Sequence, residues 1–295
     1  MNQSRLSQIY NSVLPLLGRI IGLNGIDIGM RLETQDLAVR FHIDDTFIAT
    51  DDMVHLMNTN DIGIVKAKYQ INSKTLKTPI SDAERVKRKD PLQPGISIGC
   101  FECGTLGLFV KDAYNMRTGF VTCYHVISGW QGITVTQPGP GTDGGNFDID
   151  LIGTLERFLP LSLGFDAALV GLNTLRKFNN IQFGTNEDLR TVEPIKIDDL
   201  LTKSGRTTGV TSGKVQGKGA FLIDYPFYGS QVISGYTIAP VNSGKISSEG
   251  DSGAIWYDDK AKSAKGLHFA TDISTGFALA SSLSEIFPLL QVKPL

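Results

Sequence analysis

Ser247-Ser248-Glu249-Gly250-Asp251-Ser252-Gly253-Ala254, near the C-terminal end of a 295-residue chain, is the stretch around which the rest is organised. Gly-Asp-Ser-Gly sets a small hydroxyl between two glycines, which have no Cβ and accept the positive φ of a sharp turn. Such a turn predicts that the Ser252 hydroxyl projects into a cleft. It also predicts that the backbone N–H groups of Gly250 and Ser252 converge on one point, the geometry of an oxyanion hole. A serine hydroxyl is a weak nucleophile unless a base takes its proton and a third group orients that base. Both are offered upstream, in Val121-Thr122-Cys123-Tyr124-His125-Val126 and in Gly164-Phe165-Asp166-Ala167-Ala168-Leu169-Val170. His125 is the expected base and Asp166 the expected orienting carboxylate, with Asp148 and Asp150 as its alternatives.

Outward from these words the composition is that of a globular protein, 41% hydrophobic and 20% charged, with a formal net charge of −2. That balance supplies no general attraction to nucleic acid or to an anionic membrane. The 32 glycines exceed the usual ~7% share, and with many short β-branched runs they predict a mainly β fold rich in tight turns. Cys100, Cys103 and Cys123 cannot all pair within one chain. The lone Cys100-x-x-Cys103 lacks a second pair of zinc ligands, so all three read as buried thiols, and an odd count without a disulfide framework predicts a reducing, cytoplasmic setting. The run Val13 to Leu23 is too short and interrupted to span a bilayer, and no cleavage site of the secretory kind follows it. There is no P-loop, no H-E-x-x-H and no G-x-G-x-x-G after a strand. No cofactor, no metal and no nucleic-acid or membrane partner is expected.

Apolar positions from Leu6 to Ile21 recur in steps of three and four, which predicts an amphipathic helix over 4–23 that Pro15 kinks or divides. Two period-two runs follow, 26–32 and 37–43, with Glu33-Thr34-Gln35-Asp36 as the turn between them. Thr50 is a candidate N-cap for a short helix through Met57, and a third strand is expected over 62–69. These elements predict a small α+β module over 1–72, in which His42 and His55 read as structural or surface residues. A polar, basic linker over 73–95 contains Arg85-Val86-Lys87-Arg88-Lys89 and reads as a solvated connector. From 96 to 295, short strands broken by Gly, Asn, Asp and Pro recur up to a final helix over 283–290, the pattern of a sandwich or barrel.

Residues 93–290 resemble the chymotrypsin-like (trypsin-like) serine peptidases, most nearly the bacterial branch and its plant relatives. The resemblance rests on Gly104-Thr105-Leu106-Gly107, Thr122-Cys123-Tyr124-His125-Val126, Phe165-Asp166-Ala167-Ala168, Gly205-Arg206-Thr207-Thr208-Gly209 and Gly250-Asp251-Ser252-Gly253, five words in the family's order. The His, Asp, Ser order is that of chymotrypsin, not of subtilisin or the α/β-hydrolases. It implies two six-stranded β-barrels packed face to face, with His125, Asp166 and Ser252 across the cleft between them and a protein or peptide as substrate. In secreted relatives a new Ile N-terminus inserts beside the Asp of Gly-Asp-Ser-Gly. Arg19-Ile20-Ile21-Gly22 resembles such an activation site but lies too far ahead of His125, so Asp251 needs another partner.

The resemblance also makes Gly266-Leu267-His268-Phe269-Ala270-Thr271 one wall of the substrate pocket, with Phe269 and, from the Lys203-to-Gly209 loop, Thr208 as further lining. Glutamate-specific members carry Gly-Ile-His there, so His268 suggests an acidic residue at P1, the residue before the cleaved bond. Position 246, where a trypsin-type Asp would stand, is Ile. The expected function is therefore a serine endopeptidase acting through an acyl-enzyme. Its N-terminal module would bind a regulatory partner or drive homo-oligomerisation. The rival is a catalytically silent binding or scaffold protein on the same fold, against which the complete set His125, Asp166 and Ser252 argues; another keeps the chemistry on an ester or in a single self-cleavage.

Overall fold

The computed structural model describes residues 3–31, 34, 36–58, 61–71 and 81–295. The expected 33–36 turn falls largely outside them, as does 72–80, which includes the expected module boundary and the start of the linker.

The chain opens with α1 (Gln3–Val13), whose Leu6 and Val13 are buried against Leu23, Ile26 and Phe41. The helix expected as far as residue 23 stops early. Pro15 lies in a 3-10 turn, Leu14–Leu16, because a proline has no N–H to continue the α ladder. Then come β1 (Leu23–Met30), β2 (Leu37–Ile43), α2 (Asp51–Met57), β3 (Ile62–Lys66) and β4 (Tyr69–Ile71). Thr50 caps α2 by accepting from Met53 N at 3.4 Å, as its place in the sequence predicts.

The first barrel is drawn from β5 (Ser97–Gly99), β6 (Cys103–Thr105), β7 (Phe109–Asp112), β8 (Thr118–Thr122), β9 (Thr134–Thr136), β10 (Leu151–Phe158) and β11 (Ala168–Leu172). A single helical turn, α3 (Tyr124–Ile127), follows β8. The second part holds β12 (Thr191–Val192), β13 (Leu200–Gly205), β14 (Gly209–Tyr225), β15 (Gly229–Pro240), β16 (Ile255–Asp258), β17 (Ser263–Asp272) and β18 (Ala278–Ser282). Helix α4 (Leu283–Leu290) and β19 (Val292–Pro294) end the chain.

The first sheet runs β19-β7-β8-β11-β10-β9-β5-β6, so the C-terminal β19 completes its edge. The second runs β13-β16-β17-β18-β15-β14, and β14 returns to pair with β13, closing a six-stranded ring that leaves no open edge within it. One apolar cluster fills the first barrel and continues into the seam through Phe221, Ile233 and Leu267; Leu201, Val215, Ile238 and Trp256 belong to a second. The Lys203-to-Gly209 stretch, expected as a loop, begins inside strand β13. Its polar residues hid the strand, because Lys203 and Ser204 are buried for reasons other than apolar packing.

The N-terminal strands are sewn onto the second barrel at two places. β1 pairs antiparallel with β14, Gly25 opposite Phe221 and Gly29 opposite Gly217, so the sheet continues β14-β1-β2-β3. Below this seam Arg40, buried, donates from Nε to Asp27 Oδ1 at 2.7 Å and from Nη2 to Thr237 Oγ1 of β15 at 2.9 Å. His42 stands 3.2 Å from Asp27 Oδ1 in the same cluster. The second seam is β4 against β17, with Tyr69 opposite Asp272, Gln70 opposite Thr271 and Ile71 opposite Ala270. The basic run read as solvated is also partly interior. Arg85 is buried and donates to Gly95 O (3.0 Å), Ser204 Oγ (2.7 Å) and Phe183 O (2.9 Å), because carbonyls enclosed there need a donor.

Candidate active site

Strand register places the first two residues. β11 pairs with β8 with Ala168 opposite Thr122, so Asp166, just ahead of β11, lies beside the turn into which β8 delivers His125. Asp166 Oδ1 accepts from the His125 backbone N–H at 3.1 Å, and Oδ2 pairs with His125 Nδ1. A ring whose Nδ1 faces a carboxylate carries its proton there, which leaves Nε2 as the acceptor. His125 Nε2 is buried with no hydrogen-bond partner among the described residues. Asp166 Oδ2 takes a further hydrogen bond from the Tyr225 hydroxyl at 3.1 Å. Of the alternatives, Asp150 pairs with Arg88 and Asp148 is exposed.

Ser252 lies on a turn that Gly250 and Gly253 make possible with φ of +91° and +95°. Its carbonyl accepts from Thr105 N at 2.8 Å. Gly104 fits between this turn and α3: a Cβ there would come within 2.5 Å of Val126 and 3.0 Å of Ser252 O. The Ser252 hydroxyl donates to Phe269 O of β17 at 3.2 Å, so it must leave that carbonyl to donate to His125. Between the two expected oxyanion donors, the Asp251 N–H is turned onto Ser248 O at 3.1 Å. The amides of Gly250 and Ser252 donate to no protein acceptor among the described residues.

Asp251 has the partner that the sequence left unnamed. Its carboxylate, fully buried, lies 3.1 Å from Lys203 Nζ and accepts from Thr208 Oγ1 (2.6 Å) and from the N–H groups of Thr207 (2.8 Å), Thr208 (3.1 Å) and Ser248 (3.0 Å). Burial pushes the Asp251 carboxyl up, but the Lys203 ammonium and these donors outweigh it and hold the carboxyl below the usual range. Thr208, expected to line the pocket, spends its hydroxyl here, between Asp251 and Lys203.

His268 has no exposed surface, and its pKa is pushed down to about 3 by burial and then by the Lys203 ammonium. The ring meets Trp256 edge-on, centroids 6.3 Å apart, and its carbonyl accepts from Gly253 N and from the Cys123 thiol. Phe269 turns its ring toward Gly235 in the second barrel and presents only its carbonyl to Ser252. Ile246 is buried with Trp256. All three cysteines are unpaired and buried; burial pushes Cys100 and Cys103 to about 11. Cys123 Sγ lies with ligand atoms of His125 and Asp166 in a group within 4.8 Å, but each atom is already engaged inside the protein.

A cavity of about 460 Å³ opens over His125, walled by Phe101, Val126, Pro226, Phe227 and Ile71 of β4. Tyr225, Pro226 and Phe227 come from the tip of the long β14–β15 hairpin. Nothing in the sequence tied Tyr225 to Asp166.

No protein-family model and no curated protein matches the sequence. Solved structures do. A Nocardiopsis protease superposes with a TM-score of 0.51 at 17% identity, over 69% of this chain and 99% of that one. Thermobifida fusca protease A gives 0.51 at 18%, again over 69% and 99%. A glutamic-acid-specific serine protease gives 0.52 at 19%, over 69% and 100%. The chain therefore carries the two-barrel fold of the chymotrypsin-like serine proteases, with added N-terminal strands.

Proposed function

We propose that the protein is a serine endopeptidase in which Ser252 is the nucleophile, His125 the general base and Asp166 its orienting carboxylate. The observation that carries this is the His125–Asp166 pair, whose Nε2 is buried with no hydrogen-bond partner among the described residues, on a residue that lines a cavity. When a substrate carbonyl arrives, Ser252 Oγ forms the C–O bond as its proton passes to His125 Nε2. The amides of Gly250 and Ser252 then take the developing oxyanion. His125 returns that proton to the leaving amine as the C–N bond breaks, and water resolves the acyl-enzyme by the same steps. Asp251 with five donors has no need of a new N-terminus, so the site is proposed to form without a cut at Arg19. Three buried thiols support a reducing, cytoplasmic setting.

An acidic P1 residue is proposed on the place of His268, one residue from the carbonyl that holds Ser252 Oγ. With its pKa near 3 the ring is neutral at pH 7, and because it has no exposed surface it would donate an N–H to a P1 carboxylate only once substrate opens the wall that covers it. The glutamic-acid-specific protease among the structural neighbours uses a histidine triad in substrate binding, which supports this assignment.

The test is a small fluorophosphonate, whose phosphorus Ser252 Oγ attacks with loss of fluoride, followed by a mixed peptide library. Labelling and cleavage should both vanish in Ser252→Ala, a loss of at least ~10³-fold. Labelling that persists in the variant refutes the assignment, and cleavage no more frequent after Glu or Asp than after other residues refutes the role of His268.

A further inference from the structure

β17 is the strand beside the nucleophile. Its Phe269 carbonyl holds the Ser252 hydroxyl at 3.2 Å and its His268 carbonyl holds the Gly253 amide at 2.9 Å. The next three residues, Ala270 to Asp272, are covered by Ile71, Gln70 and Tyr69 of β4, running antiparallel. Ile273 N donates to Lys68 O at 2.9 Å. An antiparallel ladder exchanges bonds at every second pair, so Gln70 and Thr271 are the pair that exchanges both. The Gln70 side chain also donates to Glu249 Oε1 at 2.8 Å, on the residue before Gly250. Ile71, buried, forms part of the wall of the cavity that holds His125.

An extended polypeptide that presents a carbonyl to Ser252 needs a strand edge to lie along, close to the nucleophile and the base. We infer that the Ala270–Asp272 edge, along which the part of a substrate preceding the cleaved bond would lie, is held in the resting protein by this chain's own 69–71 segment. The inference rests on the peptidase reading. β4 is then an intramolecular competitor, present at the millimolar effective concentration of a tethered segment. It contributes only three residues of ladder, which an incoming chain can replace bond for bond. A small reagent that needs only Ser252 and His125 is unaffected by it; a long peptide must displace it.

Two variants of the full chain test this. Gln70→Pro removes the N–H that Gln70 gives to β17, and Gln70→Glu keeps the backbone but sets a like charge against Glu249. Gln70 is exposed, so neither change opens the core. Each protein is assayed with the small fluorophosphonate and with the peptide library at low concentration. Labelling rates should stay within about twofold of the parent chain. Peptide hydrolysis should rise roughly tenfold in Gln70→Pro and about two- to fivefold in Gln70→Glu, the loss of one or two hydrogen bonds from the competitor. If Gln70→Pro fails to fold by circular dichroism, Gln70→Glu alone decides. Hydrolysis that does not rise in labelled variants overturns the inference and leaves the peptidase reading standing. Absence of labelling in the parent chain and both variants overturns the peptidase reading, and the inference falls with it.

Discussion

Two aspartates, Asp166 and Asp251, are both buried, each beside a nitrogen base, and the two pairs are built for opposite ends. Asp251 is saturated: Lys203 Nζ, two hydroxyl or amide contacts from Thr208, and the amides of Thr207 and Ser248 leave it nothing further to do. Asp166 holds His125 by backbone and ring, and the far nitrogen of that ring is buried with no hydrogen-bond partner among the described residues. A saturated pair fixes a backbone turn; a pair with one open atom has something to give a substrate. Removing the first should cost fold, and removing the second should cost rate.

The largest effect expected is on Asp166. In Asp166→Asn the side chain keeps its shape but no longer favours the proton on Nδ1, so Nε2 ceases to be the acceptor. Peptide hydrolysis should fall by about 10⁴-fold, while the urea midpoint moves little. A variant that unfolds, or that keeps a tenth of the parent rate, breaks the contrast.

Next is the saturated pair. Lys203→Met leaves a carboxylate buried without its cation, which should destabilise the fold by about 3–5 kcal/mol, read from urea unfolding. The pH dependence sharpens this. In the parent chain the folded pKa of Asp251 is lowered, so its contribution is present above the unfolded carboxylate range and is lost as the pH falls through the folded value. Without Lys203 the strongest influence that lowers it is gone, and the folded pKa rises relative to the parent's. The deficit of Lys203→Met relative to the parent should therefore shrink as the pH is lowered from 7 toward 4. A deficit that stays constant over that range means that Lys203 acts by packing alone.

The same contrast explains what could be read from the sequence. The Gly250–Gly253 turn, the Thr50 cap and the span of α4 depend on local chemistry and stand in the structure where the sequence put them. β13 was missed because the buried charge of Lys203 breaks the apolar alternation by which a strand is recognised. The docking of β1 on β14 and of β4 on β17 was invisible for a different reason: period two marks a strand but does not name its partner. Arg85 shows the converse error, a basic run read as solvated although one of its members answers enclosed carbonyls.

The smallest effect concerns the remaining donor to the open pair. Tyr225 gives its hydroxyl to Asp166 Oδ2 at 3.1 Å from the β14–β15 hairpin, and burial, then the charge of Asp166, push its pKa well above the ordinary tyrosine range. It is therefore a donor at every pH at which hydrolysis would be assayed. Tyr225→Phe leaves the ring, which packs 6.0 Å from the His125 ring, and removes one of the hydrogen bonds that fix Asp166. A bond of this kind is worth about 0.5–1.5 kcal/mol, so kcat should drop roughly two- to tenfold with KM nearly unchanged, equally at pH 6 and pH 9. A drop confined to one end of that range would mean that Tyr225 itself exchanges a proton, and a change in KM alone would move its role from the orientation of Asp166 to the shape of the cavity.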